Sequence, residues 1–286
     1  MREEIAVTLD NLADSDGRSE RERRRRTGHL SELAHALICA AHEAEEAESP
    51  RALLSAVPEL LREGSGEVLT PTDRAELTLC LLREAERLLG YPVTASALAG
   101  GPCPPAERAR TVYVRNPLTE EAYARLASCL AAPTVGYRQN FRELFDDVEN
   151  GYADYAVLPL LSGGRTVGSV TDLLEERGLF ITATATVPTG EDEVVFALLA
   201  REPFALSPPR CFSLRAELAD GEALAGLLAA ASRFSLSLLR LDSAPAPYGD
   251  RMACHILLGG EDFTAMLAYL SLFVPSFTGY GFYSEL

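Results

Sequence analysis

The hydrophobic period of this chain changes once, and that change limits what it can fold into. Up to about residue 90, apolar residues recur every three or four positions; from about residue 109, short β-rich runs alternate with helical ones. In HLSELAHALICAAHEAEE, Leu30, Leu33, Ala34, Leu37, Ile38 and Ala41 share one helix face. A second helix begins at Pro50 with Leu53, Leu54, Val57, Leu60 and Leu61 on one side, and Pro58 is expected to kink it or end it early. The third carries its own punctuation. Thr70 suits the N-cap, Pro71 the first helical position and Asp73 the acid of a capping box. Leu77, Cys80, Leu81, Glu84 and Leu88 trace its face, and Gly90 with Pro92 stops it. Residues 91–108 hold four prolines and two glycines with little periodicity, and read as a linker.

Beyond the linker come RTVYVR, PTVGYR, DYAVLPL, LFITATATV and EVVFALLAR as strands, with helical runs between the first four. Strands alternating with helices predict a parallel or mixed sheet with helices packed on it. Ligands in such sheets sit at the carboxyl ends of strands, here near Arg115, Tyr137 and Pro159 to Ser162. Residues 211–286 read β-α-β-β-α-β, the ferredoxin-like order, with both helices on one face of a small open sheet. The expected division is a helical unit 1–90, a linker 91–108, an α/β unit 109–206 and a ferredoxin-like unit 207–286.

All 26 basic residues are arginine. Without lysine the chain has no Schiff-base lysine, no lysine general base and no P-loop lysine. A net charge of −16 argues against a nucleic-acid partner. Arg21 and Arg23 to Arg26 are interleaved with Glu20 and Glu22 and read as a solvated helix start. Cys39, Cys80, Cys103, Cys129, Cys211 and Cys254 are scattered, and His29, His35, His42 and His255 lack the spacing of a zinc pair. Buried or partly buried thiols, surface histidines, no metal and no cofactor are therefore expected. No apolar run is long enough to cross a bilayer and MREEIAVTLDNLADSDGRSERERRRR has no apolar h-region, so a cytoplasmic protein off the membrane is expected.

With its motifs, this order of units resembles the bifunctional chorismate mutase–prephenate dehydratases of phenylalanine biosynthesis. FRELFDDVENGYADYAVLPL is similar to the dehydratase segment in which a helix ends at a Gly and ADY leads into a buried strand ending in Pro. GSVTDLL is similar to the family's small-residue turn and T-x-DLL helix start. GEAL, LDSAP and GYGFYSEL resemble the regulatory ACT domain, and LTPTDRAELTLCLLREAERLLG resembles the last helix of the small helical mutases. The resemblance implies a multidomain α and α/β fold: a mutase-like helical bundle, a dehydratase-like α/β unit of the periplasmic-binding-protein type, and a ferredoxin-like ACT domain. It also implies an aromatic amino acid, phenylalanine, bound near Gly221, Leu224, Asp242, Ser243 and Pro245. Because that site forms between two such domains, it implies a homodimer through the ACT domain, the helical domain or both.

The departures fall on the family's chemistry. Where the family carries PIENS, this chain has Pro159, Leu160, Leu161 and Ser162; where it carries GPxGTFS, this chain has Arg115, Asn116, Pro117, Leu118 and Thr119. Where TRF supplies a catalytic Thr and a substrate-binding Arg, this chain has Val194, Val195 and Phe196. LFITATATV passes through PTGED straight into EVVFALLAR, so one of two dehydratase lobes is missing and no residue is assigned a catalytic role. The mutase motif P-x-R-E is met only by Pro50 and Arg51, leaving Arg2, Arg51 and an arginine between 21 and 26 as pocket candidates against a reading as surface arginines. Ala244 stands where the ACT motif ESRP has its Arg. A non-catalytic, amino-acid-sensing regulator is the favoured function. An active chorismate mutase or atypical dehydratase, and a purely structural interaction protein, are the alternatives.

Overall fold

The structure, a computed structural model of the chain, describes residues 20–45, 48–63, 69–99, 108–190, 192–203, 206, 208–246 and 251–286. Arg2 and Cys103 lie outside the described residues. Three helices come first: α1 (Glu20–Glu45), α2 (Pro50–Glu63) and α3 (Pro71–Leu89). Leu33, Leu37 and Ala41 of α1, Leu53 and Val57 of α2, and Leu77, Leu81 and Ala85 of α3 are fully buried in one core. Each leucine so buried contributes roughly 1.5–3 kcal/mol.

Four local expectations need correction. α2 runs through Pro58 without ending. The ring removes one N–H from the ladder at a cost of about 3 kcal/mol, but Leu54, Val57 and Leu61 on either side are buried and offset it. On α3 the buried stripe is Leu77, Leu81 and Ala85, whereas Leu88 is 37% exposed. The arginine cluster is not wholly a solvated helix start, because Arg26 donates Nε and Nη2 to the buried Asp73 carboxylate at 2.6 Å each. The linker contains a short helix, α4 (Ala95–Ala99), whose Leu98 packs against two cores. Thr94 starts it by accepting the Ala97 N–H at 3.3 Å.

The capping box on α3 is as expected. Thr70 accepts the Asp73 N–H at 3.2 Å and donates its own N–H to the Asp73 carboxylate at 2.9 Å.

The α/β part consists of β1 (Arg110–Val114), α5 (Pro117–Leu126), β2 (Thr134–Arg138), α6 (Phe141–Glu149), β3 (Tyr155–Ser162), β4 (Arg165–Thr166), α7 (Gly168–Arg177), β5 (Phe180–Thr189) and β6 (Asp192–Ala200). The sheet order is β2-β1-β3-β6-β5, with β4 paired to β3. β1 is parallel to β2 and β3, and β6 is antiparallel to β3 and β5. Alternate residues go to opposite faces. Tyr113, Val157 and Phe196 meet α5, while Val112, Leu158 and Leu199 meet α6 and α7. β5 and β6 form one hairpin, closing at Thr189 opposite Asp192.

The last part is β7 (Cys211–Leu218), α8 (Gly221–Arg233), β8 (Ser237–Pro245), β9 (Met252–Gly259), α9 (Thr264–Phe273) and β10 (Phe277–Tyr283). Its antiparallel sheet has the order β10-β7-β9-β8, the ferredoxin-like arrangement. Phe212, Leu214, Ala216 and Leu218 of β7 are buried under α8 and α9. The amino-terminal helices cover those two helices in turn: Ala268 and Leu272 of α9 belong to the α1–α3 core, and a Cβ on Gly226 of α8 would sit 3.2 Å from Pro71.

The two sheets are joined beyond β10. Thr184 on the outer edge of β5 donates its N–H to Ser284 at 3.1 Å and accepts that of Leu286 at 2.9 Å. Among the described residues no helix is long and apolar enough to cross a membrane.

Candidate functional site

The strand ends marked by the sequence do not form one site. Tyr113 of β1 is level with Val157, and β3 continues past that row to Ser162. Tyr137, level with Tyr113, is therefore set back from Pro159–Ser162, and neither it nor Arg115 lines the cavity beside Leu160 and Leu161. Arg115 donates to Glu120 at 2.8 Å and lies over the Tyr137 ring at 5.1 Å. Tyr113 packs against both Tyr123 and Tyr137 at 5.3 Å between centroids, and burial followed by its bond to Tyr137 pushes its phenol up to about 12. Of this aromatic cluster only Tyr137 is exposed, Tyr113 is buried, and the arginine over Tyr137 is paired with Glu120.

At the far end of β3 the register brings two motifs together. Pro159 lies opposite Phe196, Leu161 opposite Val195 and Ser162 opposite Val194. The resemblance implies the PIENS and TRF groups at these positions. Here Leu160 and Val194 are each 9% exposed and Phe196 is 3% exposed. Leu160, Leu161, Val194 and Val195 offer no carboxylate, amide or guanidinium where a dehydratase would need its acid and its carboxylate-binding arginine, and the polar side chain in these two stretches is the exposed Ser162.

That end is also covered. The face of the second sheet turned away from α8 and α9 carries Ser213, Arg215, Arg240, Asp242, His255 and Tyr280, and it rests on Leu160, Leu161 and α7. About 60 Å³ of cavity remains between them, far below the few hundred Å³ of a small-molecule pocket.

The contact is held by polar groups. Glu175 of α7 accepts from the Tyr280 hydroxyl and from Arg215 at 3.0 Å, and Arg215 also reaches Glu217 at 3.0 Å. Burial, then the Glu175 carboxylate, pushes the Tyr280 phenol well above its ordinary range. His255, expected at the surface, is half-buried and stacks on Tyr280 at 6.0 Å. Burial lowers its pKa, against the opposing pull of Glu175, so the imidazole is neutral near pH 7. A neutral imidazole, a protonated phenol and a carboxylate already paired twice make a satisfied interface network rather than an acid–base pair. Sequence reasoning missed this network because Glu175, Arg215 and Tyr280 lie on separate elements with no shared motif.

The residues expected to bind an amino acid are divided by the strand pleat. Leu218 and Pro245 both flank Met252, so the start of α8 and the end of β8 lie at the same end of the sheet. Gly221 opens α8 after its N-cap Asp220, and Leu224 is half-buried on the sheet core. Ser243 falls in the row of Cys254, on the helix-bearing side, and Pro245 pairs with Met252 at the end of the strand. Asp242 falls in the row of His255, on the opposite side, and accepts from Arg240 at 2.6 Å. Four of the five are thus brought together, and Asp242 belongs to the interface with the α/β sheet. Arg51, in the first turn of α2, is exposed and outside the helical core, which is built of apolar side chains.

No protein-family model matches the sequence, and no curated protein matches it at significance. Among solved structures, prephenate dehydratase from Streptococcus mutans is similar in fold: the TM-score is 0.51 at 15% identity, over 62% of this chain and 98% of that one. A quorum-quenching acylase, GqqA, matches with a TM-score of 0.49 at 21% identity over 61% of this chain and 94% of its own. Prephenate dehydratase from Arthrobacter aurescens, in complex with L-Phe, matches with 0.48 at 15% identity over 61% of this chain and 90% of its own. The fold is thus a mixed α/β fold similar to that of a prephenate dehydratase.

Proposed function

We propose that this chain is a shortened relative of the prephenate dehydratases without dehydratase activity, which serves aromatic amino acid metabolism as an amino-acid-responsive regulator. The pairing of Pro159–Ser162 with Val194–Phe196 carries the reading: two stretches that need charged and amide groups for the reaction lie side by side, and apart from Ser162 both are apolar. The hairpin from β5 to β6 supports it, since the chain has no room there for a second lobe to close over substrate and exclude water.

The regulatory part of the reading rests on the ferredoxin-like unit. Gly221, Leu224, Ser243 and Pro245 gather at one end of its sheet, where an amino acid such as phenylalanine would bind. A homodimer fits the outer edge of β8, which has no partner strand among the described residues. The apolar core of the helical bundle gives no support to a mutase pocket.

Purified full-length chain is expected to turn over neither prephenate nor chorismate, and to melt at a higher temperature with phenylalanine, tyrosine or tryptophan. At a hundredfold excess over its dissociation constant, a bound ligand stabilises by about 2.7 kcal/mol. Turnover of either substrate would overturn the non-catalytic reading. No thermal shift with any of the three amino acids would leave an interaction protein in place of a sensor.

A further inference from the structure

A second, larger cavity of about 440 Å³ lies where α2, α4, β5, α9 and β10 meet. Its inner wall is apolar: Leu54, Leu98, Phe212, Leu267, Phe277 and Phe282 line it. Phe212 and Phe282 are stacked at 4.5 Å, and Gly279 leaves the strand beside Phe212 without a side chain, opening a flat slot next to the rings. The polar lining belongs to exposed residues at the mouth, Arg51, Ser55 and Ser271.

The two serines have their protons engaged. Ser55 donates to the Ala52 carbonyl at 2.8 Å and Ser271 to the Leu267 carbonyl at 2.9 Å. Arg51 has no ion pair and no hydrogen bond among the described residues. In a chain of net charge −16, an arginine left without a carboxylate at the rim of an apolar cavity has a vacant fork.

We infer that this cavity binds an aromatic monocarboxylate, with the ring in the slot beside Phe212 and Phe282 and the carboxylate on Arg51. The single guanidinium matches a planar carboxylate through two parallel N–H bonds. It would leave half the charge of a phosphate dianion unanswered. The volume suits a molecule of about ten to fifteen non-hydrogen atoms. The site is independent of the end of the sheet near Gly221, so it stands or falls separately from the amino-acid-sensing reading.

The test is isothermal titration of the full chain with 3-phenylpropionate, 3-phenylpropan-1-ol and octanoate. The aromatic acid is expected to bind one-to-one and more tightly than either comparison compound. Arg51→Gln is expected to weaken the acid about tenfold while leaving the alcohol within about twofold. Ser271→Phe, which fills the mouth, is expected to abolish binding of both aromatic compounds. Arg51 is exposed and unpaired, so its replacement leaves the fold intact, and the comparison of acid with alcohol needs no variant. No saturable binding of 3-phenylpropionate, equal affinity of the acid for Arg51→Gln, or tighter binding of octanoate would each overturn the assignment.

Discussion

The Asp73 carboxylate is only 4% exposed, and a charge so far from water persists only when partners replace its hydration. Burial alone would raise its pKa, but the Arg26 fork and the Thr70 N–H and hydroxyl hold it below the ordinary aspartate range. A carboxyl with a depressed folded pKa contributes stability that is complete above about pH 4 and is lost as pH falls through the folded value. Asp73→Asn is therefore expected to cost about 3 kcal/mol near pH 7, read from urea unfolding, because it removes the buried carboxylate that accepts both N–H bonds of the Arg26 fork. The difference from the parent protein should shrink as pH falls below about 4. A gap that stays constant down to pH 2 would show that the pair is not responsible. Thr70 and Asp73 were legible in the sequence because a capping box is local; Arg26, 47 residues away, was not, because only the packing of α1 on α3 brings it there.

Gly281 shows the same division for whole elements. Its φ of +131° is costly for any residue with a side chain, and a Cβ there would sit 2.2 Å from the Ile181 carbonyl oxygen. The backbones of β10 and β5 cross at this point. Gly281→Ala is expected to destabilise by about 3 kcal/mol and to speed proteolysis around β10, since relief requires the strands to separate. A variant with unchanged stability and unchanged cleavage would show that the crossing is loose.

Most strands and helices could be read from the sequence, because β-branched runs and helical periodicity report directly on which faces are buried. α4 was hidden by the glycines and prolines around it, and Pro58 looked like a stop because the burial of Leu54, Val57 and Leu61 is not a local property. For the site, the apolar replacements at 160–161 and 194–196 were visible one stretch at a time. That they lie side by side follows from the antiparallel register of β3 and β6, and that Leu160 and Leu161 lie beneath Tyr280 and His255 follows from the way the second sheet docks.

At the scale of the molecule, four layers follow one another: the α1–α3 helices, the α8–α9 pair, the ferredoxin-like sheet, and the α/β unit behind it. Each inner layer is covered on both sides, and the ferredoxin-like sheet has its outer edge at β8. There Leu238, Leu239 and Leu241 are 44%, 55% and 36% exposed, with Leu239 standing out at a bulge in the register. An apolar edge of this kind pairs with another strand unless it is guarded by charge. Light scattering is expected to give a dimer for the parent chain and a monomer for Leu239→Glu, which places a charge on that edge. A Leu239→Glu dimer as tight as the parent would move the interface elsewhere.

The residues that close the outer edge of β5 come late. Glu285, which accepts from Thr186, is 99 positions further along the chain. At a ribosomal rate of about 5–20 residues per second, that strand leaves the exit tunnel about 5–20 s ahead of its cover. During synthesis the α/β sheet therefore has an open edge with unpaired backbone groups, at the stage when neighbouring nascent chains on a polysome are closest. The stability of the finished protein and the ease of making it are set by different parts of the sequence. The second depends on how quickly the segment around 284–286 arrives.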